Sequence, residues 1–239
     1  MAVPSYLQPF VLTLPEHPRR REGTIDIYSP GPDPHPVVVL VHGGPVPPDL
    51  PVAPRDWPMF AGYGALLAGQ GLLAVTVAHR LHSPAAYADA AADVADAVQR
   101  ARALPEADPE RVALWFFSGG GLLAADWLRE PPPWLRCLAL TYPLLAAPDG
   151  WGVDPRFSPV DAVADAGALP VLLTRAGREA PEVAAGVTAF TEAADRHDIR
   201  VEVIDVPNGQ HSFDILDHTD ESRAAVERAA LWVGESVRR

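Results

Sequence analysis

The sequence predicts an α/β fold in which a mostly parallel sheet is covered by helices on both faces. Segments with a strand pattern alternate with segments of helical pattern from about residue 23 onward. Residues 36–41 form an unbroken apolar run rich in valine, which is typical of a strand buried on both faces. A third observation is the apolar run 111–117, which leads directly into Ser118, three glycines and a helical pattern. That order is typical of a tight strand-to-helix turn.

Length and charge limit the possible classes of protein. A chain of 239 residues without an internal repeat or linker predicts one domain over residues 1–239. The formal net charge of −12 argues against nucleic acid or an anionic membrane as a partner. No apolar run approaches the ~18 residues of a membrane span, and the first residues lack the pattern of a signal peptide. We therefore expect a cytoplasmic protein.

Residue usage also excludes several kinds of chemistry. All 19 basic residues are arginine, which excludes a Schiff-base lysine and a Ser-Lys dyad. The single cysteine, Cys137, lies in an apolar strand pattern and is expected to be a buried core residue. His79 and His82 are three apart, but no third ligand is apparent. We therefore predict no metal and no cofactor.

The remaining elements follow from patterns along the chain. Residues 1–22 predict a proline-rich N-terminal arm with one short strand at 10–14 and a solvated turn at the arginine run 19–21. Strands are predicted over 24–28, 36–41, 72–78, 111–117, 135–141, 170–174 and 201–206. Helices are predicted over 57–68, 85–104, 122–129, 181–197 and 219–237. Residues 144–168 form a long connection of the kind that often covers a site, which predicts a lid.

Ser118 is the candidate nucleophile. Its position at a strand-to-helix turn with glycine behind it is that of a nucleophile elbow, which lifts the hydroxyl clear of the sheet. The elbow motif G-x-S-x-G has glycine where this chain has Phe116. A phosphate-binding loop is an alternative, but the spacing G-x-G-x-x-G is absent. A tight turn without chemistry is the other alternative.

A serine hydroxyl needs a base, and the base needs an orienting acid. Working residues in open α/β sheets gather after the carboxyl ends of strands. His211 follows the strand predicted at 201–206 and is the candidate base, with His218 as the alternative. Glu179 follows the strand predicted at 170–174 and is the candidate acid. Its rivals are Asp154, Asp161 and Asp205.

Attack on a carbonyl creates an oxyanion, which needs preorganised N–H donors. Gly43 and Gly44 follow a buried strand and let the backbone approach closely. Pro45 has no N–H, so the donor on this side is predicted to be Gly43 or Gly44. The second donor is predicted to be Gly119, the residue after the candidate nucleophile.

Four segments together resemble the α/β-hydrolase superfamily, near the dienelactone-hydrolase-like and hormone-sensitive-lipase-like esterases. They are His42-Gly43-Gly44, His79-Arg80-Leu81, the turn at Ser118, and Gly209-Gln210-His211-Ser212-Phe213. The resemblance covers about residues 23–237. It implies that Ser118 is the nucleophile, His211 the base and Glu179 the acid in place of the commoner aspartate. It also implies hydrolysis of a small carboxylic ester or lactone through an acyl-enzyme.

A small-molecule substrate is the expected partner, and six side chains are expected to line its pocket. They are Trp57, Phe60, His82, Trp151, Phe157 and Phe213, with core packing as the alternative for the aromatic ones. Two other classes stay open. One is a non-hydrolytic enzyme on the same fold, such as a cyclase, lyase or acyl transferase. The other is a ligand-binding relative without catalysis.

Overall fold

The computed structural model describes residues 3–239 and is built on an eight-stranded sheet. The strands are β1 (Arg20–Glu22), β2 (Ile25–Tyr28), β3 (His35–Val41), β4 (Leu73–Val77), β5 (Ala107–Phe117), β6 (Leu135–Thr141), β7 (Val171–Arg178) and β8 (Val201–Gln210). Their spatial order is β1-β2-β4-β3-β5-β6-β7-β8. β1 pairs with β2, and β2 with β4, in antiparallel orientation, whereas β4–β3, β3–β5, β5–β6, β6–β7 and β7–β8 are parallel pairs. The predicted mostly parallel sheet is confirmed.

Helices cover both faces of this sheet. They are α1 (Pro58–Gly69), α2 (Tyr87–Arg102), α3 (Ala124–Arg129), α4 (Pro159–Ala162), α5 (Pro181–Arg196), α6 (Phe213–Leu216) and α7 (Asp220–Arg238). Val37, Val39 and Val41 pack with α2, α3 and α5, whereas Val38 and Leu40 pack with α1 and α7. Because successive strand residues point to opposite faces and both faces are covered, residues 37–41 of β3 must all be apolar. Among residues 3–239, no helix is long and apolar enough to traverse a bilayer.

The parallel strands bring several distant loops to one edge of the sheet. β3, β5, β7 and β8 all end at this edge, and they are followed by His42, Ser118, Glu179 and His211. Residues more than 90 positions apart in the chain therefore meet, as Ser118 and His211 do. This edge is where ligands bind in open α/β sheets.

Two predictions for the N-terminal arm were wrong. Residues 10–14 are not a strand: Val11 is buried, but its N–H donates to the carbonyl of Asp214 (2.7 Å) instead of to a neighbouring strand. The arginine run is not a turn, because its last two residues begin β1. Arg21 makes two 2.7 Å hydrogen bonds to the fully buried carboxylate of Asp26. The run alone gives no sign of this partner on β2.

Residues 144–168 pack mainly on the α2, α3 and α5 face of the sheet. Leu145, Phe157 and Val163 are buried there with the core residues of α3 and α5. At the start of the segment, the N–H of Leu144 donates to the carbonyl of Ser118 (2.9 Å). The segment therefore supports the turn at Ser118 through this hydrogen bond, and its buried side chains form part of the core.

Candidate active site

The turn at Ser118 is strained and closely packed. Ser118 has φ +51°, a left-handed conformation that costs a side-chain-bearing residue energy and is common at functional sites. A 3₁₀ helix over Ser118–Leu123 follows and leads into α3, so the single helix predicted at 122–129 is wrong in its first turn. A Cβ on Gly119 would lie 1.8 Å from the carbonyl oxygen of Gly44, and one on Gly120 would lie 2.5 Å from that of His42. These glycines are required because the β3 loop crosses directly over the turn.

Phe116 occupies the position of the first glycine of the elbow motif. Its side chain is fully buried in the core formed with α2 and α3. It lies opposite Val41 in the β3–β5 ladder. The side chain therefore projects into the core on that face, and the sharp turn forms with phenylalanine in place of glycine.

Ser118, His211 and Glu179 form one hydrogen-bonded chain. The Oγ of Ser118 lies 2.7 Å from Nε2 of His211, and Nδ1 of His211 lies 2.6 Å from Oε2 of Glu179. The Glu179 side chain is only 6% exposed, whereas the imidazole of His211 is 37% exposed. The other carboxylate oxygen of Glu179 accepts the N–H of Ala180 (2.9 Å). The acid is thus held at both oxygens, and the imidazole stays open to solvent.

The alternative base and acids lie elsewhere. His218 is exposed, and its carbonyl accepts a hydrogen bond from Arg223. Asp205 pairs with Arg175, and Asp154 accepts the N–H of Arg156. Asp161 lies in α4, where its N–H bonds to Ser158. In the part of the chain that the structure describes, none of them hydrogen-bonds to His211.

The loop after β3 is held by two buried histidines. The rings of His42 and His79 stack with centroids 3.6 Å apart, and Nε2 of His79 lies 2.9 Å from the carbonyl oxygen of His42. Burial lowers the pKa of His79 to about 4 and that of His42 well below its usual value. Both rings are therefore neutral near pH 7. Across residues 3–239, no three His, Cys, Asp or Glu side chains are grouped so as to hold a metal ion.

This loop brings its glycines against Ser118. A Cβ built on Gly43 would lie 3.2 Å from Ser118 Oγ. Among the loop and cap hydrogen bonds of residues 3–239, the N–H groups of Gly43 and Gly44 have no backbone acceptor. Gly119 is the second residue of a 3₁₀ helix, where N–H groups have no partner within the helix. Gly43 thus lies beside Ser118, and the backbone of Gly44 lies against Gly119.

A cavity of about 270 Å³ opens at Ser118 and His211. Its lining residues are Ser5, Tyr6, Gly43, Gly44, Pro45, Val46, Trp57, Met59, Phe60, Phe117, Ser118, Tyr142, His211, Ser212, Ile215 and Leu216. The predicted pocket residues Trp57 and Phe60 are among them. Apart from the imidazole of His211 and the phenols of Tyr6 and Tyr142, no lining side chain is ionisable, so the walls are neutral and largely apolar.

Four predicted pocket residues do not line this cavity. His82 is exposed and directs its ring to the carbonyl oxygen of Val46 (2.9 Å). Trp151 and Phe157 pack against the core on the α2 and α3 face. Phe213 is fully buried, with its ring 5.5 Å from that of Tyr142. The prediction that these four side chains line the pocket is corrected. The three aromatic ones pack against the core instead.

Several lining residues were not predicted. Tyr142 follows β6 at the same edge of the sheet as Ser118, so its position after a strand is a signal that could have found it. Ile215 and Leu216 follow His211 closely in the chain and share its loop and helix. Tyr6 has no comparable signal. It reaches the cavity because the N-terminal arm folds back, which places its ring 5.1 Å from that of Trp57.

Solved structures with the same architecture include esterases and a peptidase. Carboxyl esterase 2 from Tuber melanosporum superposes with a TM-score of 0.74 at 16% identity, covering 98% of this chain and 92% of that one. An esterase from Pyrobaculum calidifontis gives 0.73 at 19% identity, covering 93% and 87%. Dipeptidyl peptidase 4 from Porphyromonas gingivalis superposes with a TM-score of 0.71 at 16% identity. The superposition covers 93% of this chain but only 36% of that protein. No protein-family model and no curated protein matches the sequence. The superposed structures show that the chain has the α/β-hydrolase fold.

Proposed function

We propose that the protein is a serine hydrolase that cleaves a small carboxylic ester or lactone through an acyl-enzyme. The observation that carries the proposal is the hydrogen-bonded chain from Ser118 through His211 to Glu179, with its serine end open to the cavity. A serine hydroxyl becomes a strong nucleophile when a neighbouring imidazole accepts its proton. The superposed esterases share the fold and are consistent with this chemistry.

In the proposed reaction, Ser118 Oγ attacks the carbonyl carbon while His211 Nε2 takes its proton. Glu179 holds the imidazole in the required tautomer and stabilises the imidazolium that forms. The N–H groups of Gly43, Gly44 and Gly119 surround the developing oxyanion. His211 then gives the proton to the departing alcohol oxygen, which leaves Ser118 acylated.

Hydrolysis of the acyl-enzyme requires water at the imidazole. The His211 side chain is 37% exposed, so solvent reaches the base. His211 removes a proton from this water, the hydroxyl adds to the acyl carbon, and Ser118 leaves with the proton. This access favours hydrolysis over transfer of the acyl group to another acceptor. The neutral, largely apolar walls of the cavity favour an uncharged substrate.

The test is activity-based labelling combined with turnover of an activated ester. Wild type should hydrolyse p-nitrophenyl acetate and react with a fluorophosphonate at Ser118. Ser118→Ala should lose the label and at least ~10⁴-fold in kcat, because the members of such a set act as a unit. Ser83→Ala is the matched control, because Ser83 is exposed and lies outside the cavity. Labelling that survives in Ser118→Ala would overturn the assignment of the nucleophile.

A further inference from the structure

A buried carboxylate lies close behind the proposed base. Asp214 is three residues after His211, and its side chain is completely inaccessible to solvent. The hydroxyl of Tyr63 on α1 donates to it over 3.0 Å, and that of Tyr142 donates over 2.8 Å. In residues 3–239 no arginine pairs with this carboxylate within ion-pair distance. A buried carboxylate without a cationic partner is energetically costly when ionised, which suggests a role beyond packing.

The contacts of this carboxylate extend to the imidazole of His211. Tyr142, which bonds to Asp214, also packs on His211 with ring centroids 4.9 Å apart. Tyr142 has φ +36° and Ser212, directly after the histidine, has φ +62°. These are strained conformations for residues with side chains, and they persist only where surrounding contacts enforce them. Asp214 supplies such a contact to Tyr142, and the residues directly after it, Ile215 and Leu216, supply them to Ser212.

The same residue also attaches this loop to the N-terminal arm. The carbonyl oxygen of Asp214 accepts the N–H of Val11 (2.7 Å). The N–H groups of Ile215 and Leu216 bond to the carbonyl of Ser212 and form the short turn of α6. Asp214 therefore joins α1, the end of β6 and the N-terminal arm to the loop that carries His211, here called the histidine loop.

We propose that Asp214 is a positioning residue for His211, which orients the imidazole through Tyr142 and the Ser212 turn and supports the imidazolium with its negative charge. The proposal rests on the proposed function of Ser118 and His211. Titratable groups facing Asp214 are Tyr63, Tyr142 and His211, and Glu179 faces His211 from the other ring nitrogen. Burial raises the pKa of Asp214 to about 6. The carboxylate is therefore mostly ionised at neutral pH, where an esterase of this type needs an unprotonated base.

Asp214→Asn is the decisive variant, because it keeps the shape and an acceptor oxygen but removes the charge. Loss of a nearby anion disfavours the imidazolium. The acidic limb of the kcat/KM profile should therefore move to lower pH by about half a unit to one unit. kcat should fall about tenfold, with KM nearly unchanged because the cavity walls remain.

Asp217→Asn is the matched control. Asp217 is the same residue type, lies three positions further on and bonds to the N–H and side chain of Gln210 (2.8 and 2.7 Å). It also holds the histidine loop, but its bonds are exposed, so its charge should be screened. We expect no shift of the acidic limb in this variant. An equal shift in both variants, or a fall in kcat for Asp214→Asn with an unmoved limb, would reduce Asp214 to a packing residue.

Two further measurements keep the proposal testable. Tyr63→Phe removes one hydrogen bond from the carboxylate and should shift the limb in the same direction by a smaller amount. This variant tests the proposal if Asp214→Asn does not fold. An unmoved acidic limb of the kcat/KM profile in Tyr63→Phe would then overturn the proposal. NMR titration of the His211 imidazole, assigned with His211→Gln, needs no turnover. A lower His211 pKa in Asp214→Asn supports the proposal even if wild type cleaves no ester, so failure of the proposed function remains distinguishable.

Discussion

The two sides of the candidate site are built from different parts of the chain. On the nucleophile side, Ser118 and the loop after β3 are fixed by backbone packed against backbone, since a Cβ added to Gly119 would lie only 1.8 Å from the carbonyl oxygen of Gly44. On the base side, His211 contacts the side chains of Glu179 and Tyr142, and Tyr142 in turn bonds to Asp214. The first side should therefore fail when atoms are added, and the second when a charge or hydrogen bond is removed.

Glu179→Gln should give the largest effect on the base side. The amide keeps the shape but loses the charge that stabilises the imidazolium, and it favours the wrong tautomer. A loss of ~10⁴-fold in kcat is expected, as for the corresponding change in a serine protease. Glu179→Asp should be milder, because the charge stays and only reach is lost. Both are measured as kcat on one activated ester.

The rival acids provide the controls for this prediction. Asp154→Asn, Asp161→Asn and Asp205→Asn should each change kcat by less than about tenfold, because their carboxylates do not hydrogen-bond to His211. A near-wild-type Glu179→Gln beside an inactive aspartate variant would move the acid elsewhere. It would leave Ser118 and His211 in their proposed roles.

Gly119→Ala should give the largest effect of an added atom on the nucleophile side. The new methyl group would lie 1.8 Å from the carbonyl oxygen of Gly44, so the loop must move. Displacing one N–H donor from an oxyanion typically costs ~10²–10³-fold in kcat. Gly69→Ala is the control, since a Cβ there meets nothing within 4 Å. Thermal unfolding of both variants separates misplacement from loss of fold, and full activity in Gly119→Ala would contradict the steric argument.

Much of this arrangement could be predicted because both sides obey strong local rules. The β-branched run of β3 and the glycines after Ser118 report burial and close backbone approach directly. Glu179 and His211 could be picked out because each follows a strand of one parallel sheet. The sequence order therefore located the edge where the site lies, although their hydrogen bonds required the structure.

The walls of the cavity could not be predicted in the same way. Phe213 follows Ser212, whose positive φ changes the chain direction before α6, and its side chain lies in the core instead of the pocket. Tyr6 depends on how the arm returns to Trp57, which involves contacts distant in sequence. Asp214 shows no local pattern, because its partners come from α1 and from the end of β6.

Acid should destabilise the nucleophile side through its buried histidines. The pKa of His79 falls from 6.5 to about 4 on folding, because burial disfavours the charged ring. Unfolded chains then bind more protons than folded ones between these values. The contribution of the neutral His79 ring to the free energy of unfolding is fully present above pH 6.5 and is lost as pH falls to about 4. It amounts to about 3 kcal/mol. Asp214 has the opposite sign: its contribution is present at low pH and is lost as pH rises through about 6.

Urea unfolding at several pH values measures this difference. His79→Gln retains a donor for the carbonyl of His42 but cannot titrate. Between about pH 4 and pH 6.5, the slope of its unfolding free energy should be smaller than that of wild type by about one proton, or ~1.4 kcal/mol per pH unit. An unchanged slope would show that the ring is not held neutral. Asp214→Asn should change the slope in the opposite direction.

The smallest effects are expected at the cavity wall, where side chains that line the cavity can be compared with one from residues 144–168. Tyr6 and Trp57 line the cavity and pack on each other, whereas Trp151 packs on the far face of the sheet. Trp57→Ala should raise KM about fivefold, since losing part of an apolar wall removes ~1 kcal/mol of binding. Tyr6→Ala should act in the same direction but less. Trp151→Ala, the matched change in the other segment, should leave KM within about twofold and act on stability instead. These values come from KM and thermal midpoints on one uncharged ester. If Trp151→Ala raises KM as much as Trp57→Ala, residues 144–168 reach the substrate in the complex, as the lid expected from the sequence would.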